Sequence, residues 1–422
     1  MESLSYKVEQ LPGPVCQLGE GPIWDVDSQS LYYVDALGAA ILRFDYNESE
    51  TYRATIDGLA PISFIFLVEG RPGEFVLGTG IDLSLVSWDG KSTKATLLRK
   101  VASLALKGVK PMRFNDGKVD RFGRLYAGTM LMEGHGDVFE EREGKLYRFD
   151  GKFGGSFIQQ KDGIGISNGI TWNEQSGVLY YVDSCTFDVK VFQVNAAGDY
   201  NVNSKCFMTP NSSFRSSLVN SCSTSRESSV GICAFSGISN VGMSKDVSSD
   251  VGSCGKYPTG SNVNAMSSLT TSNCPTVLNS EREWRMMRKN CRMMTMLQDL
   301  ENEEVLIDIS NNGENPGFVG DGMTNDTEGN LYLAAWCGSK VLKIDVKKRA
   351  IVQEIGLPVT QVTSVAFGGP RLDELFVTSA ATDVFDGTEG LINRRPPGSG
   401  KVFRISGLGV KGQGMNKIVL NE

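Results

Sequence analysis

The stretch Leu179-Tyr180-Tyr181-Val182-Asp183, followed by Val191-Phe192-Gln193-Val194-Asn195, decides the fold, because a similar pair of segments recurs six times along the chain. Both segments are rich in β-branched and aromatic residues and are bounded by Gly, Asp and Asn, which is typical of β-strands joined by turns. The first segment of the pair begins at residues 31, 75, 125, 179, 331 and 375, and the second at residues 41, 85, 146, 191, 341 and 402. A repeat of about 40–50 residues that holds several strands predicts an all-β fold, a six-bladed β-propeller.

One interval between the repeats is far longer than the others, since 152 residues separate the segments that begin at 179 and 331. Within it, 20 of the 70 residues from 211 to 280 are serine, and alternating strand patterns are lacking. Polar sequence of this kind buries too little apolar surface to order itself, so we expect a disordered insertion. The predicted organisation is blades one to four over residues 1–206, a Ser-rich insertion between blades four and five over 207–302, and blades five and six with a closing strand over 303–422.

Composition limits the classes of partner. Hydrophobic residues make up 40% of the chain and charged residues 22%, as in an ordinary soluble globular protein. The formal net charge of −7 argues against nucleic acid and against an anionic membrane, since both favour a basic surface. No apolar run approaches the roughly 20 residues of a membrane span, and the N-terminus lacks a signal-peptide core. The nine cysteines include no C-x-x-C pair, so the sequence predicts a cytoplasmic protein with reduced thiols.

A third recurring element, a polar residue with glycine beside it, precedes four of the first segments by ten or eleven residues. It reads Glu20-Gly21, Asn115-Asp116-Gly117, Asn168-Gly169 and Asp321-Gly322. The first strand of each blade lines the central channel of a propeller, so these positions should converge on the axis. Two carboxylates and two amide oxygens at one place suit a hard cation such as Ca²⁺, Mg²⁺ or Mn²⁺. A turn-forming role would explain one such pair, but not four in phase with the repeat.

Histidine chemistry is excluded almost entirely, because His135 is the only histidine. A His-rich zinc site or a two-His iron site therefore does not fit this chain, and any metal should be held by oxygens. Gly165-Ile166-Ser167-Asn168-Gly169 has the spacing of a nucleophile elbow, but the sequence continues as a strand where that motif needs a helix. We predict no serine nucleophile, and we expect His135 to be an exposed loop residue.

The same motifs resemble those of the regucalcin or gluconolactonase-type family, the calcium-binding propellers that include senescence marker proteins. The resemblance is carried by Leu18-Gly19-Glu20-Gly21-Pro22, Arg113-Phe114-Asn115-Asp116-Gly117-Lys118, Ile166-Ser167-Asn168-Gly169 and Gly320-Asp321-Gly322-Met323. The stretch from Gln361 to Pro370 is similar to the luciferin-regenerating branch of that family. The resemblance covers all six repeats and leaves the Ser-rich insertion unmatched.

The resemblance implies a gluconolactonase-like hydrolase that opens sugar lactones, with D-glucono-1,5-lactone as substrate and one divalent cation (Ca, Zn, Mn or Mg) as cofactor. Carried over by position, the metal ligands are Glu20, Asn168 and Asp321, and the substrate-contacting residues are Arg113, Asn115 and Glu133. Asp321 could also act as the general base toward water. Two alternatives use the same residues: a calcium-binding regulatory protein without catalysis, and a related ester or lactone hydrolase of the luciferin-regenerating type.

Overall fold

The computed structural model describes residues 6–106, 108–152, 155–194, 300–382 and 396–421. In these ranges 24 strands form six four-stranded antiparallel sheets, and the one helical segment is a single 3-10 turn, Ser184–Thr186. Each sheet is one blade, and its first strand in sequence is the innermost one, except in blade six, which also contains the N-terminal strand. The predicted six-bladed, all-β propeller is therefore confirmed.

The strands are numbered in chain order. The N-terminal strand is β1 (Lys7–Gln10). Blade one consists of β2 (Gly19–Asp25), β3 (Ser30–Asp35), β4 (Ala40–Asp45) and β5 (Glu50–Thr55), and blade two of β6 (Ile62–Leu67), β7 (Glu74–Thr79), β8 (Asp82–Ser87) and β9 (Thr96–Ser103). Blade three consists of β10 (Met112–Val119), β11 (Leu125–Leu131), β12 (Gly144–Phe149) and β13 (Phe157–Ile164).

Blade four consists of β14 (Ser167–Asn173), β15 (Val178–Asp183), β16 (Asp188–Val194) and β17 (Leu300–Asp308). Blade five consists of β18 (Val319–Asn325), β19 (Leu331–Trp336), β20 (Lys340–Asp345) and β21 (Ala350–Gly356). Blade six consists of β22 (Val362–Gly368), β23 (Glu374–Ser379), β24 (Phe403–Ser406) and β1. Strand β1 pairs with β24, for example Val8 with Ile405, so the two ends of the chain close the ring in one sheet.

The burial of each strand follows its place in the blade. The second strands β3, β15 and β19 are buried along their whole length, because neighbouring blades cover both of their faces. The fourth strands β9 and β21 lie at the outside and are mostly exposed. A strand that is buried on both faces reads as a continuous apolar run, whereas an outer strand carries polar and charged residues.

Aromatic pairs fill the interfaces between blades. Trp24 of blade one stacks on Phe376 of blade six with the ring centroids 5.2 Å apart, and Tyr126 of blade three meets Trp172 of blade four edge to face at 4.7 Å. Tyr332 of blade five contacts Phe367 of blade six at 5.0 Å. Such pairs add about 0.5–1.5 kcal/mol each beyond the area that they bury, so they help to fix the ring of blades that surrounds the channel.

The pairing of the strands on either side of the Ser-rich insertion shows where the insertion enters the propeller. Residues 195–299 lie outside the described residues, and the chain resumes as β17, whose Leu300 pairs with Val194 of β16. The insertion therefore joins the third and fourth strands of blade four and does not lie between blades four and five. The last three residues of the predicted range 207–302 belong to strand β17.

Within the described part of the chain, no helical segment has the length and apolar character that a membrane span requires.

Candidate functional site

The innermost strands of all six blades carry a polar residue at the equivalent position, and three of these residues tie neighbouring blades together. Ser63 Oγ donates to the carbonyl oxygen of Phe114 at 2.6 Å, from blade two to blade three. Asn115 Nδ2 donates to the carbonyl oxygen of Ser167 at 3.0 Å, from blade three to blade four. Thr363 Oγ1 donates to the carbonyl oxygen of Gly19 at 2.6 Å, from blade six to blade one. These three side chains hold the inner strands against one another.

The other three equivalent positions are occupied by Glu20, Asn168 and Asp321, and these side chains lie close together in the channel. All three line one open cavity with an empty volume of about 350 Å³. Asn168 donates a side-chain hydrogen bond to Asp321, and its Nδ2 also donates to Ser184 Oγ at 3.0 Å. Ser184 Oγ in turn donates to the carbonyl oxygen of Gly320 at 2.7 Å, so blade four is tied to blade five directly beside Asp321.

In blades four and five, close packing requires a glycine directly after the polar residue. A Cβ on Gly169 would lie 2.6 Å from the carbonyl oxygen of Asp321, and a Cβ on Gly322 would lie 2.0 Å from Ser364 Oγ. Both distances are far shorter than a carbon atom tolerates, so a larger residue would push the inner strands apart. Gly169 therefore allows Asn168 and Asp321 to approach each other, and Gly322 allows the inner strands of blades five and six to pack closely.

The two carboxylates are held where their negative charge is unfavourable. Burial, together with the smaller effect of the nearby Asp116 charge, raises the pKa of Glu20 from 4.5 to about 8. Burial also raises the pKa of Asp321 well above its usual value, and the charges of Glu20 and Asp116 add to that rise. A divalent cation between the carboxylates would neutralise this charge.

The donor chemistry of the cluster fits a hard cation. Two carboxylates and an amide offer oxygen ligands, which Ca²⁺, Mg²⁺ and Mn²⁺ prefer. No three His, Cys, Asp or Glu side chains among the described residues gather as a metal site would need. The candidate set is consistent with that finding, because its third member is the amide of Asn168. Glu20, Asn168 and Asp321 are thus the residues that could hold a cation.

Two of the three predicted substrate residues line the same cavity, and all three are linked by hydrogen bonds. Arg113, which is buried, donates from Nε and Nη2 to the Glu133 carboxylate at distances from 2.6 to 3.2 Å. Its Nη1 donates to Asn115 Oδ1 at 2.8 Å and to the carbonyl oxygen of Phe114 at 2.9 Å. Burial would raise the pKa of Glu133, but the charge and hydrogen bonds of Arg113 outweigh it and leave that pKa lowered. Arg113 and Asn115 line the cavity, and Glu133 is fixed through Arg113.

Sequence reasoning missed two charged residues in the channel, Asp116 and Lys118. Both line a second cavity with an empty volume of about 310 Å³. Burial raises the pKa of Asp116 to about 6 and lowers the pKa of Lys118 to about 8, while Asp116 partly opposes the change at Lys118. The pairing of β10 with β11 shifts register between Phe114 and Gly117, which marks a β-bulge. Asp116 lies within this bulge, at the place where the other three motifs have glycine, and that difference was visible in the sequence.

His135 is exposed, as predicted, and its backbone N–H donates to the carbonyl oxygen of Met132 at 3.1 Å. It lies in the loop that follows Glu133, and nothing in the geometry of the described residues links it to Ser167. Ser167 Oγ instead accepts a hydrogen bond from the Tyr181 hydroxyl at 2.9 Å and is fully buried. In the described part of the chain, Ser167 therefore has no histidine base beside it.

Comparisons with known proteins identify the family and the fold. A family model described as "SMP-30/Gluconolactonase/LRE-like region" matches residues 18–216 and 290–381. Regucalcin from Gallus gallus is 27% identical over 408 residues, and regucalcin from Homo sapiens is 28% identical over 409 residues, each match covering 97% of both chains.

Two solved structures have the same fold. A luciferin-regenerating enzyme is 25% identical, with a TM-score of 0.67 over 99% of this chain and 100% of the other. A calcium-binding protein, regucalcin, from Agrobacterium tumefaciens is 17% identical, with a TM-score of 0.60 over 99% of this chain and 98% of the other. The second likeness concerns the fold alone.

Proposed function

Because the chain belongs to the SMP-30/gluconolactonase/LRE-like family, we propose that it is a hydrolase that opens lactones with the help of one divalent cation. The observation that supports this most strongly is the placement of Glu20, Asn168 and Asp321 around one cavity that also holds Arg113 and Asn115. A cation site needs the first three residues, whereas a protein that only binds an ion has no use for an arginine and a second amide beside it.

Glu20, Asn168 and Asp321 would hold the cation, whose chemistry there is to polarise the lactone carbonyl and to stabilise negative charge on its oxygen. Asp321 would also accept the proton of the attacking water. A carboxylate is basic enough for that task, because a lactone is already an activated ester.

Arg113 and Asn115 would orient the ring of the substrate. The Arg113 guanidinium is held in place by its ion pair with Glu133, at 2.6 Å between Nη2 and Oε1, and by the Phe114 carbonyl. A donor that is fixed before the substrate arrives loses little entropy on binding. The Arg113–Glu133 pair therefore supports recognition of a polar edge of the lactone.

The proposal is tested by assaying a panel of lactones, with D-glucono-1,5-lactone as the reference, in the presence of Ca²⁺, Mg²⁺, Mn²⁺ or Zn²⁺ and after chelation. We expect hydrolysis that depends on the added cation. Cation binding without hydrolysis of any lactone or ester would instead indicate a calcium-binding regulatory protein. Turnover of aromatic esters alone would indicate the luciferin-regenerating type.

A further inference from the structure

Four side chains form a ring in the channel, and each precedes an oxygen-bearing residue of the inner strands by two positions in the sequence. Residues i and i+2 of an extended strand point to the same face, so the residues that precede the oxygen donors by two belong to the same wall of the channel. In the four blades that supply Glu20, Asn115, Asn168 and Asp321, these residues are Leu18, Arg113, Ile166 and Val319, and all of them line the 350 Å³ cavity.

Three members of this ring are apolar. Leu18 is 5% exposed and Ile166 is 2% exposed, while Val319 is half-buried at the start of β18. Two further apolar side chains, Met130 and Trp336, complete the lining of the cavity. The part of the wall that this ring forms together with Met130 and Trp336 is therefore mainly hydrocarbon, with Arg113 as its charged member.

The hydrogen-bond donors of the cavity are mostly engaged within the protein, and its two carboxylates, Glu20 and Asp321, are the proposed cation ligands. Of the five N–H groups of an arginine, Arg113 uses four on Glu133, Phe114 and Asn115 in the described structure. Asn115 Nδ2 donates to the Ser167 carbonyl oxygen, and Ser184 Oγ donates to the Gly320 carbonyl oxygen. Few donors remain for a ligand, whereas a polyhydroxylated lactone brings several hydroxyl groups that each need a partner once they leave water.

From this lining we infer that the preferred substrate is a lactone whose ring carries an apolar substituent, an alkyl chain above all, and not a sugar lactone. This inference rests on the proposed lactonase function and names its substrate class. Leu18, Ile166, Val319, Met130 and Trp336 would enclose the alkyl chain, and Arg113 and Asn115 would meet the polar edge of the ring. An apolar pocket gains affinity from each methylene group that it removes from water, while a polyol would leave hydroxyl groups unpaired there.

The test compares kcat/KM for three δ-lactones in the presence of the activating cation: one without a substituent, one with a pentyl chain, and D-glucono-1,5-lactone. We expect kcat/KM for the pentyl lactone to exceed that for the sugar lactone by about tenfold or more, which is the lower end of what one fitted apolar group gives. Hydrolysis of the sugar lactone with the higher kcat/KM would overturn the inference and leave the lactonase function standing.

A substitution in the wall links the preference to the structure. Val319→Thr keeps the shape and the strand propensity of the side chain but places a hydroxyl group in the wall. It should lower the ratio of kcat/KM between the pentyl and the unsubstituted lactone by about threefold or more. Val305→Thr is the matched control, because Val305 lies on the outer strand β17 and is 44% exposed. An unchanged ratio in a folded Val319→Thr protein would also overturn the inference.

Binding of lactams, which resist hydrolysis, separates this inference from the lactonase proposal. Calorimetry with a pentyl δ-lactam and a polyhydroxylated δ-lactam reports the preference even if no lactone is turned over. Tighter binding of the pentyl lactam without any hydrolysis would refute the lactonase function and retain the apolar subsite. Binding of neither lactam, together with no hydrolysis, would refute both.

Discussion

Six equivalent residues on the inner strands divide into two groups with different tasks. Ser63, Asn115 and Thr363 donate to the main chain of the next blade, and so they hold the ring together. Glu20 and Asp321 instead bring two negative charges into one buried place, where burial raises the pKa of both. Such an arrangement destabilises a protein unless something compensates for the charge, which is why these residues are the strongest candidates for a functional role.

Asp321→Asn should lower kcat for lactone hydrolysis by about 100-fold or more, because it removes the proposed general base together with one charge of the cation site. Circular dichroism should show an unchanged fold. Asp162→Asn, on an exposed part of β13, is the matched control and should keep full activity. If the Asp321→Asn protein retains most of its activity, Asp321 is not the base.

Glu20→Gln should weaken cation binding, measured by calorimetry, more than it raises KM at saturating cation. The reason is that glutamine keeps an oxygen at this position but loses the charge that attracts a divalent ion. Glu69→Gln, at an exposed turn, should bind the cation like the unaltered protein. Unchanged cation affinity in Glu20→Gln would leave Glu20 with a purely structural role.

Without a cation, the protein should become less stable as the pH rises. The folded state raises the pKa of Glu20 from 4.5 to about 8, so the folded state binds this proton more tightly than the unfolded state does. The resulting stability is fully present below pH 4.5 and is lost as the pH rises toward about 8. In EDTA, the melting temperature at pH 8.5 should therefore lie several degrees below that at pH 6. Glu20→Gln should show a smaller loss, and an equal loss would contradict the role of this proton.

Sequence reasoning found Glu20, Asn168 and Asp321 because they recur in phase with the strands, and a repeat pattern needs no knowledge of distances. It missed Asp116 and Lys118, which lie at and just beyond a register shift that the inner strands of all six blades share. A bulge changes which side chains face the axis, so the alternation of an ideal strand does not predict the position of Lys118, although an aspartate where the other three motifs have glycine was a visible signal for Asp116. The apolar ring at positions 18, 166 and 319 could have been found, because each member precedes a proposed cation ligand by two residues.

Among the elements, the inner strands are tightly packed at two glycines: Gly169 lies against the inner strand of blade five, and Gly322 lies against the inner strand of blade six. Gly169→Ala should destabilise the protein by about 1–3 kcal/mol, as added atoms do in a packed interior, and should also weaken cation binding. Gly356→Ala is the control, because a Cβ on Gly356 would meet no atom within 4 Å. Denaturant unfolding measures the first effect, and equal stability of the two variants would show that the inner strands can move apart freely.

Whether the sequence predicted a strand depended on how deeply that strand is buried in its blade. The second and third strands were predicted in all six repeats, because burial selects β-branched and aromatic residues there. The outer strands β9 and β17 carry no such pattern, since their residues are mostly exposed and β17 is strongly acidic. The sequence of an outer strand therefore resembles that of a loop, and for this reason the fourth strand of blade four was missed.

At the scale of the whole molecule, the insertion occupies one connection within a blade. Val194 pairs with Leu300, so the strands on either side of it are already adjacent. Replacing residues 197–297 with a short Gly/Ser linker should therefore leave a folded and active protein, because the entropy of closing a loop grows only slowly with its length. The melting temperature and kcat/KM of the shortened protein measure this. Loss of cation binding or of folding would show that the insertion takes part in the working protein.

The pairing of β1 with β24 also determines when, during synthesis of the chain, the ring of blades can close. At roughly 5–20 residues per second, a ribosome makes residues 403–406 roughly 20–80 s after residues 7–10. Strand β1 therefore cannot pair with β24 until translation is nearly finished. Asp321 emerges late as well, and no nascent chain can bring it beside Glu20 before blade five has been made. A message cut short near its end thus yields a protein without β24, which is both its last strand and the partner of its first strand, and the ring stays open at the seam.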